Sequence, residues 1–263
     1  MRLIIVGPGR AGGSIALAAA RSGHQIAGVV SRSAETPYGP AVGWDDPLPE
    51  CDVLIIAVRD AAIEEVSSRL APQAASVPVA AHTSGFAPLT TLDELAQTGV
   101  VIGGFHPLQT LPDPERGAAA LAGSFVGIGG GPGAMNALND LAISLDMIPF
   151  PLADESRPAY HAGAAAAANF VITALATAAD LMIAARIDPV VTRPLVVQAV
   201  ANAYDIVGDS PLTGPIARGD VSTVIGQLEA ARRVSESVGE QYRQMAEATA
   251  IRAGRKGDIA RWK

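Results

Sequence analysis

The sequence has one cysteine, Cys51, among 263 residues. No disulfide framework or cysteine-rich metal site can form within such a chain. Cys51 reads as a small, partly buried hydrophobe in a reducing, cytoplasmic setting. Aromatic residues make up 4% and the formal net charge is −7. The chain therefore lacks the stacking rings and basic excess of a nucleic-acid surface, although a local group of arginines can still hold a small anion. The N-terminal "MRLIIVGPG" has too short an apolar run for a signal peptide. Four histidines and scattered carboxylates show no ligand spacing, so no metal site is expected. The one long apolar stretch, residues 162–185, is nearly long enough to cross a bilayer. It is mostly alanine, contains Asp180 and lacks an aromatic belt. It is read as a buried helix of a soluble protein, with no membrane contact.

The chain is 49% hydrophobic and 17% charged, enough apolar mass for a sizeable core. Residues 2–6, "RLIIV", read as a buried strand. "GPGRAGG" follows, then a helix closed by Gly23. "QIAGVV", "DVLIIAV", "VPVAA", "VVIGGF" and "SFVGIGG" continue a series of apolar strands with helical segments between them. A helix near 133–145 and a strand near 147–151 complete it. This alternation implies a mainly parallel sheet covered on both faces. After Pro158 the pattern is helical, with breaks at Asp188–Pro189 and over residues 208–220. The expected division is a nucleotide-binding domain at 1–152 and a helical domain at 153–263. The last twelve residues are polar and basic and are expected to fray.

Gly7, Gly9 and Gly12 form G-x-G-x-x-G between a strand and a helix. The first glycine permits the tight turn and the second lets the backbone approach a pyrophosphate. The third packs helix on strand, and the helix N-terminus attracts phosphate. A dinucleotide is expected, with Ala11 in the same loop. The second strand ends in Ser31, Arg32 and Ser33 rather than in an acidic residue. Arginine and hydroxyls suit a 2′-phosphate, so NADP(H) is favoured over NAD. Arg10 could meet phosphate, and Arg59, after Val58, could flank the adenine or ribose. Simple solvent exposure is the competing reading for both arginines.

Two more strand ends are polar: "AHTSG", with His82 and Ser84, and "GGFHPLQT", with His106 and Gln109. Ligands in such folds lie beyond the carboxyl ends of strands. Ser84 and His106 are candidates to face nicotinamide and substrate, against ordinary turn chemistry. His82 is read as structural. With "GPGRAGG", "AAAAANF" and "LTGPIARGD", these motifs resemble, over essentially the whole chain, bacterial proteins that join a Rossmann-like domain to a domain of unknown function numbered 2520. That group is similar to the 6-phosphogluconate-dehydrogenase-like superfamily, which includes pyrroline-5-carboxylate reductase and ketopantoate reductase. The resemblance implies an α/β fold, a Rossmann doubly wound mainly parallel sheet followed by an all-α domain. It also implies a reductase or dehydrogenase, often a dimer, with its active site between the domains.

Several such relatives carry a lysine four residues before an asparagine on the first long helix of the second domain. If Asn169 matches that asparagine, Ala165 stands at the lysine position. His161 is then the expected proton donor, with His106 second. On a regular α-helix, positions 161, 165 and 169 share one face within roughly 80°, but 161 and 169 lie about 12 Å apart. An amide in so apolar a setting is expected to have a partner. By analogy with pyrroline-5-carboxylate reductase, Arg218 holds a substrate carboxylate and Thr213 assists. The alternative is a linking loop in which Asp220 caps the next helix and pairs with Arg218.

The leading expectation is an NADPH-dependent oxidoreductase acting on a small carboxylate-bearing carbonyl or imine. It would be a homodimer through its helical domain. Two readings compete with it. One is a non-catalytic NADP-binding sensor or assembly module, favoured by the missing lysine. The other is a deazaflavin–NADP oxidoreductase.

Overall fold

The computed structural model describes residues 1–33, 35–206 and 211–262. The described chain forms two compact units, Met1–Ala165 and Ala166–Lys263.

The first unit is built on one eight-stranded sheet. Its strands are β1 (Arg2–Val6), β2 (Gln25–Val30), β3 (Ala41–Val42), β4 (Val53–Ile56), β5 (Val79–His82), β6 (Val101–Pro107), β7 (Phe125–Gly130) and β8 (Ile148–Pro151). Their order is β3-β2-β1-β4-β5-β6-β7-β8. All neighbours pair in parallel except β6 with β7. The chain starts in the middle of the sheet, builds outward through β2 and β3, then returns to the other side of β1 with β4. That reversal is the switch point at which such sheets open a crevice. Pro149 and Pro151 sit on edge strand β8, where missing N–H groups discourage further pairing.

Five helices belong to the layers over this sheet: α1 (Arg10–Arg21), α2 (Ile63–Leu70), α3 (Asp93–Gln97), α4 (Pro114–Leu121) and α5 (Pro132–Ser144). Strand alternation divides the core. Leu3 and Ile5 join a cluster with Ile15, Leu121 and Leu138, from α1, α4 and α5. Ile4 and Val6 join Ile63, Leu70 and Leu95, from α2 and α3. Strands covered on both faces need apolar residues at every position, hence the unbroken runs in the sequence. A sixth helix, α6 (Arg157–Ala165), closes the unit. The boundary expected at 152/153 falls just after β8. The two compact units divide instead between α6 and the turn that follows it.

The second unit is helical throughout its described residues. It opens with a single π-turn, Ala166–Phe170. The helices that follow are α7 (Val171–Ala184), α8 (Arg193–Asp205), α9 (Gly214–Arg218), α10 (Val221–Val234) and α11 (Glu236–Arg252). Pro189 opens a short 3-10 turn before α8, as the Asp188–Pro189 break predicts. Of the expected break at 208–220, residues 208–210 lie outside the described residues. Gly219 ends α9 in the left-handed region at φ 76°. Asp220 then caps α10, accepting from the Thr223 amide at 3.2 Å, a contact worth about 1 kcal/mol.

Two expectations need correction here. The C-terminal segment does not simply fray. Lys256–Arg261 makes a 3-10 turn, and Trp262 is buried against Val224, Leu228, Ala246 and Ala250. An indole in a polar, basic sequence supplies the apolar area that composition obscured. The alanine-rich helix is also not buried within the chain. Within the helical segment Asp154–Ala184 an 18-residue window has mean hydropathy 1.6, and only 6% of that window is buried. By length and composition it could cross a membrane, but core helices of soluble proteins pass the same test. Thr177 is the one buried residue of α7, and α8 has none among its described residues.

Candidate functional site

The parallel strands β1, β2, β4, β5 and β6 end at one edge of the sheet. That edge collects the glycine turn after β1, Ser31–Ser33 after β2, Val58 and Arg59 after β4, Ser84 after β5, and His106 near the end of β6. The glycines have separate steric jobs. Gly7 has φ +85°, and a Cβ there would stand 2.7 Å from the Ala57 carbonyl oxygen. A Cβ on Gly12 would overlap the Gly7 carbonyl oxygen. A Cβ on Gly9 would meet nothing within 4 Å. The space over Gly9 is thus open on the ligand side, while Gly7 and Gly12 are closed by the protein itself. Gly9 caps α1 without any side-chain hydrogen bond, so the first N–H groups of that helix remain available.

Arg10, Arg32 and Arg59 are exposed, and none makes an ion pair among the described residues. Ser31 is committed locally: its hydroxyl donates to the Ser33 carbonyl at 2.7 Å and accepts from the Ser33 amide at 3.0 Å. That turn presents the Arg32 side chain outward.

At the next strand ends, Ser84 is buried, and its oxygen accepts from the amides of Phe86 at 3.1 Å and Ala87 at 2.8 Å. Its geometry is that of a turn, the competing reading of the "TSG" motif. The Ser84 carbonyl accepts from Nη1 of Arg157 at 3.0 Å. Arg157 is fully buried and donates through Nε to Asp154 at 2.7 Å. Its guanidinium lies against the Cα atoms of paired residues Gly104 and Gly129. Side chains on either strand would fill that space. His82, paired in register with Gly104, is wholly buried. Neither of its ring nitrogens has a partner among the described residues. Burial, and then Arg157, push its pKa down to about 4, so it is neutral at pH 7.

Beyond Gly104 on the same strand face stands His106. Its Nδ1 is 2.6 Å from the Tyr160 hydroxyl, with the two rings edge to face. Burial lowers the His106 pKa to about 4, helped by neighbouring His161 and Arg157 and opposed by Asp60. Burial raises Tyr160 to about 12. The His161 ring centroid lies 5.9 Å from that of His106, and the half-exposed Phe86 flanks it at 6.2 Å. Gly85 separates the two histidines. A Cβ on it would stand 2.8 Å from His106 Nε2 and 2.9 Å from His161 Nδ1. His161 Nδ1 is buried without a partner among the described residues.

The structure therefore brings together His106, His161 and the Ser84–Gly85 turn. It adds Tyr160 and Arg157, which the sequence reading passed over. Arg157 carried no signal, because an arginine beside a helix start reads as solvated surface. Tyr160 precedes His161, and only the fold reveals that it reaches His106.

The remaining candidates lie in the helical unit. Asn169 sits in the π-turn, so the regular spacing that put it on one face with residue 161 does not hold. Its side chain is exposed and has no hydrogen-bond partner among the described residues, contrary to expectation. In solvent an amide needs none. Arg218 is exposed and makes no ion pair with Asp220, whose carboxylate is taken by Ser222 and Thr223. Thr213 precedes α9 and makes no cap bond with its side chain. No group of three metal-ligating side chains occurs among the described residues. The two lysines of the chain are Lys256 and Lys263.

A doubly wound sheet with strand order 3-2-1-4-5-6 and a glycine turn after β1 defines the Rossmann class of α/β proteins. Residues 124–249 match the family described as "Domain of unknown function (DUF2520)". No curated protein matches the chain by sequence. Protein BF3122 of Bacteroides fragilis is similar in structure at 20% identity, with TM-score 0.79, over 95% of this chain and 98% of that one. Plasmodium falciparum pyrroline carboxylate reductase, solved with NADP bound, is 15% identical with TM-score 0.62, over 98% of each chain. An imine reductase of Myxococcus stipitatus, solved with NADP+, is 14% identical with TM-score 0.67, over 100% of this chain and 99% of that one. At these identities the likeness establishes a shared fold.

Proposed function

We propose that this protein is an NADP(H)-dependent oxidoreductase that reduces a small carbonyl or imine compound bearing a carboxylate. The observation that carries the reading is a shared sheet edge. The Gly7–Gly12 turn, closed beneath and open over Gly9, lies on the same edge as His106, His161 and Tyr160. The similarity to reductases solved with NADP supports it.

The residues present fit the dinucleotide. Backbone N–H groups at the start of α1 would receive the pyrophosphate, with Arg10 beside them, and Arg32 with Ser33 would receive a 2′-phosphate. Arg59 and Val58 would flank the adenosine. When bound, NADPH supplies a hydride, which forms the new C–H bond on the substrate carbon. The oxygen or nitrogen of the substrate then takes a proton. His106 is neutral near pH 7 and does not supply that proton as an imidazolium. It serves as a hydrogen-bond donor, and His161 is assigned as the acid. Exposed Arg218 is available to a carboxylate, and Asn169 to a polar group.

A second copy of the chain is the proposed cover for the apolar side chains of α7 and α8, among them Ile172, Ile183, Leu195 and Val197. A dimer by light scattering, reduced to monomer by Leu195→Glu with Ile183→Glu, is the expected outcome. A soluble monomer for the unaltered chain would refute it.

The deciding experiment is fluorescence titration with NADPH and NADH, followed by a screen of 2-oxo acids and cyclic imines. Tight NADPH binding with turnover is expected. Tight binding with no turnover across the screen would favour a non-catalytic NADP-binding module, the reading that Ala165 and the remote lysines support. Binding of neither nucleotide would end both readings.

A further inference from the structure

We propose that Tyr160 is a positioning residue that locks His106 in its Nε2–H tautomer. This aims a neutral N–H donor past Gly85 toward the space shared with His161 Nδ1. The inference rests on the reductase reading only for the identity of what is received there, the oxygen or nitrogen of the substrate double bond.

Three observations support it. First, the Tyr160 hydroxyl and His106 Nδ1 are 2.6 Å apart, and the hydroxyl has no other hydrogen-bond partner among the described residues. If Nδ1–H donated to the phenol, the phenolic proton would be left without an acceptor on a half-buried side chain. Donation from Tyr160 satisfies both groups, and the imidazole proton must then sit on Nε2. Second, both groups keep the protonation this requires at neutral pH, because burial disfavours the imidazolium and the phenolate alike. The charged and titratable groups felt by His106 are His161, Arg157 and His82, which oppose its protonation, and Asp60, which favours it. Third, residue 85 is a glycine where any side chain would press on both rings. His106 Nε2 and His161 Nδ1 therefore converge on one small volume, and His161 Nδ1 has no protein partner there among the described residues.

The Tyr160 hydroxyl is directed at Nδ1, whereas the volume at Gly85 lies against Nε2 and Cε1 of the ring. It therefore acts through His106 rather than on a ligand. A hydroxyl–imidazole bond of this kind fixes both tautomer and ring orientation, and the opposite ring nitrogen becomes an obligate donor. The sequence places these partners 54 residues apart, and the fold brings β6 and α6 together at them.

The test is long-range 1H–15N spectroscopy of the full-length protein labelled with 15N-histidine, at pH 7 and without ligand. His106 is assigned by loss of its signals in His106→Asn. The expected pattern is a pyridine-type Nδ1 and a pyrrole-type Nε2 for His106. Tyr160→Phe keeps the ring but removes the hydroxyl, and should shift both nitrogens toward averaged values. A pyrrole-type Nδ1 in the unaltered protein would overturn the proposal, and so would an unchanged pattern in Tyr160→Phe. Because these spectra need no turnover, they stand apart from the reductase reading. The expected tautomer in a protein that reduces nothing would sink that reading and leave the lock intact. Where a substrate is found, Tyr160→Phe should lower kcat about tenfold with KM little changed. A change confined to KM would overturn the catalytic part of the proposal.

Discussion

Nη1 of Arg157 donates to the carbonyl oxygen of Ser84 across 3.0 Å, tying the first turn of α6 to the turn that follows β5. The same guanidinium binds Asp154, whose other oxygen accepts from the Leu89 amide at 2.8 Å. One buried arginine thus holds two loops that border the histidine cluster. Arg157→Leu should cost about 3 kcal/mol of stability in urea unfolding, because it leaves a buried carbonyl and a half-buried carboxylate without their donor. Amide exchange at Phe86 and Ala87 should quicken in the same variant.

The glycine turn makes a pair of opposite predictions. Gly12→Ala drives a Cβ into the Gly7 carbonyl and should destabilise the fold by about 2 kcal/mol. Gly9→Ala adds a methyl group to open space. It should leave the melting temperature nearly unchanged while weakening NADPH binding at least tenfold by titration.

Arg32 is exposed, and the Ser31–Ser33 bonds shape the turn that carries it. Arg32→Ala should weaken NADPH binding by roughly tenfold or more, the scale of one charge-assisted hydrogen bond, and leave NADH binding unaltered. Equal loss for both nucleotides would remove the 2′-phosphate assignment.

His82 predicts a pH dependence of stability. Its pKa falls from the usual 6.5 to about 4 in the folded chain. Between those values the unfolded chain binds more protons, so stability rises with pH. The contribution is fully present above about pH 6.5 and is lost as pH falls toward 4, on the order of 3 kcal/mol. Urea unfolding at pH 7, 5.5 and 4.5 should show the decline. His82→Leu should lessen the decline, since leucine has no proton to take up, and leave the part that His106, also lowered to about 4, contributes.

Much of this protein is legible in its sequence, for local reasons. The strands are unbroken apolar runs because both sheet faces are covered, and Gly7 and Gly12 reveal their turn because only glycine meets its steric demands. Other features depend on contacts between distant residues, and no local pattern encodes them. The antiparallel pairing of β6 with β7 is one. Another is the burial of Arg157 over Gly104 and Gly129, since a charged residue is apolar-tolerant only where other strands supply its partners. The π-turn at Ala166–Phe170 changes the direction of Asn169 within a stretch whose composition reads as plain helix. The sequence by itself determined the doubly wound sheet and the glycine turn after its first strand, because backbone sterics and apolar periodicity act over a few residues. Only the tertiary structure decided which polar groups meet. The Tyr160–His106 bond and the convergence of His106 and His161 on Gly85 depend on how α6 packs beside the ends of β5 and β6, which brings together residues far apart in the chain.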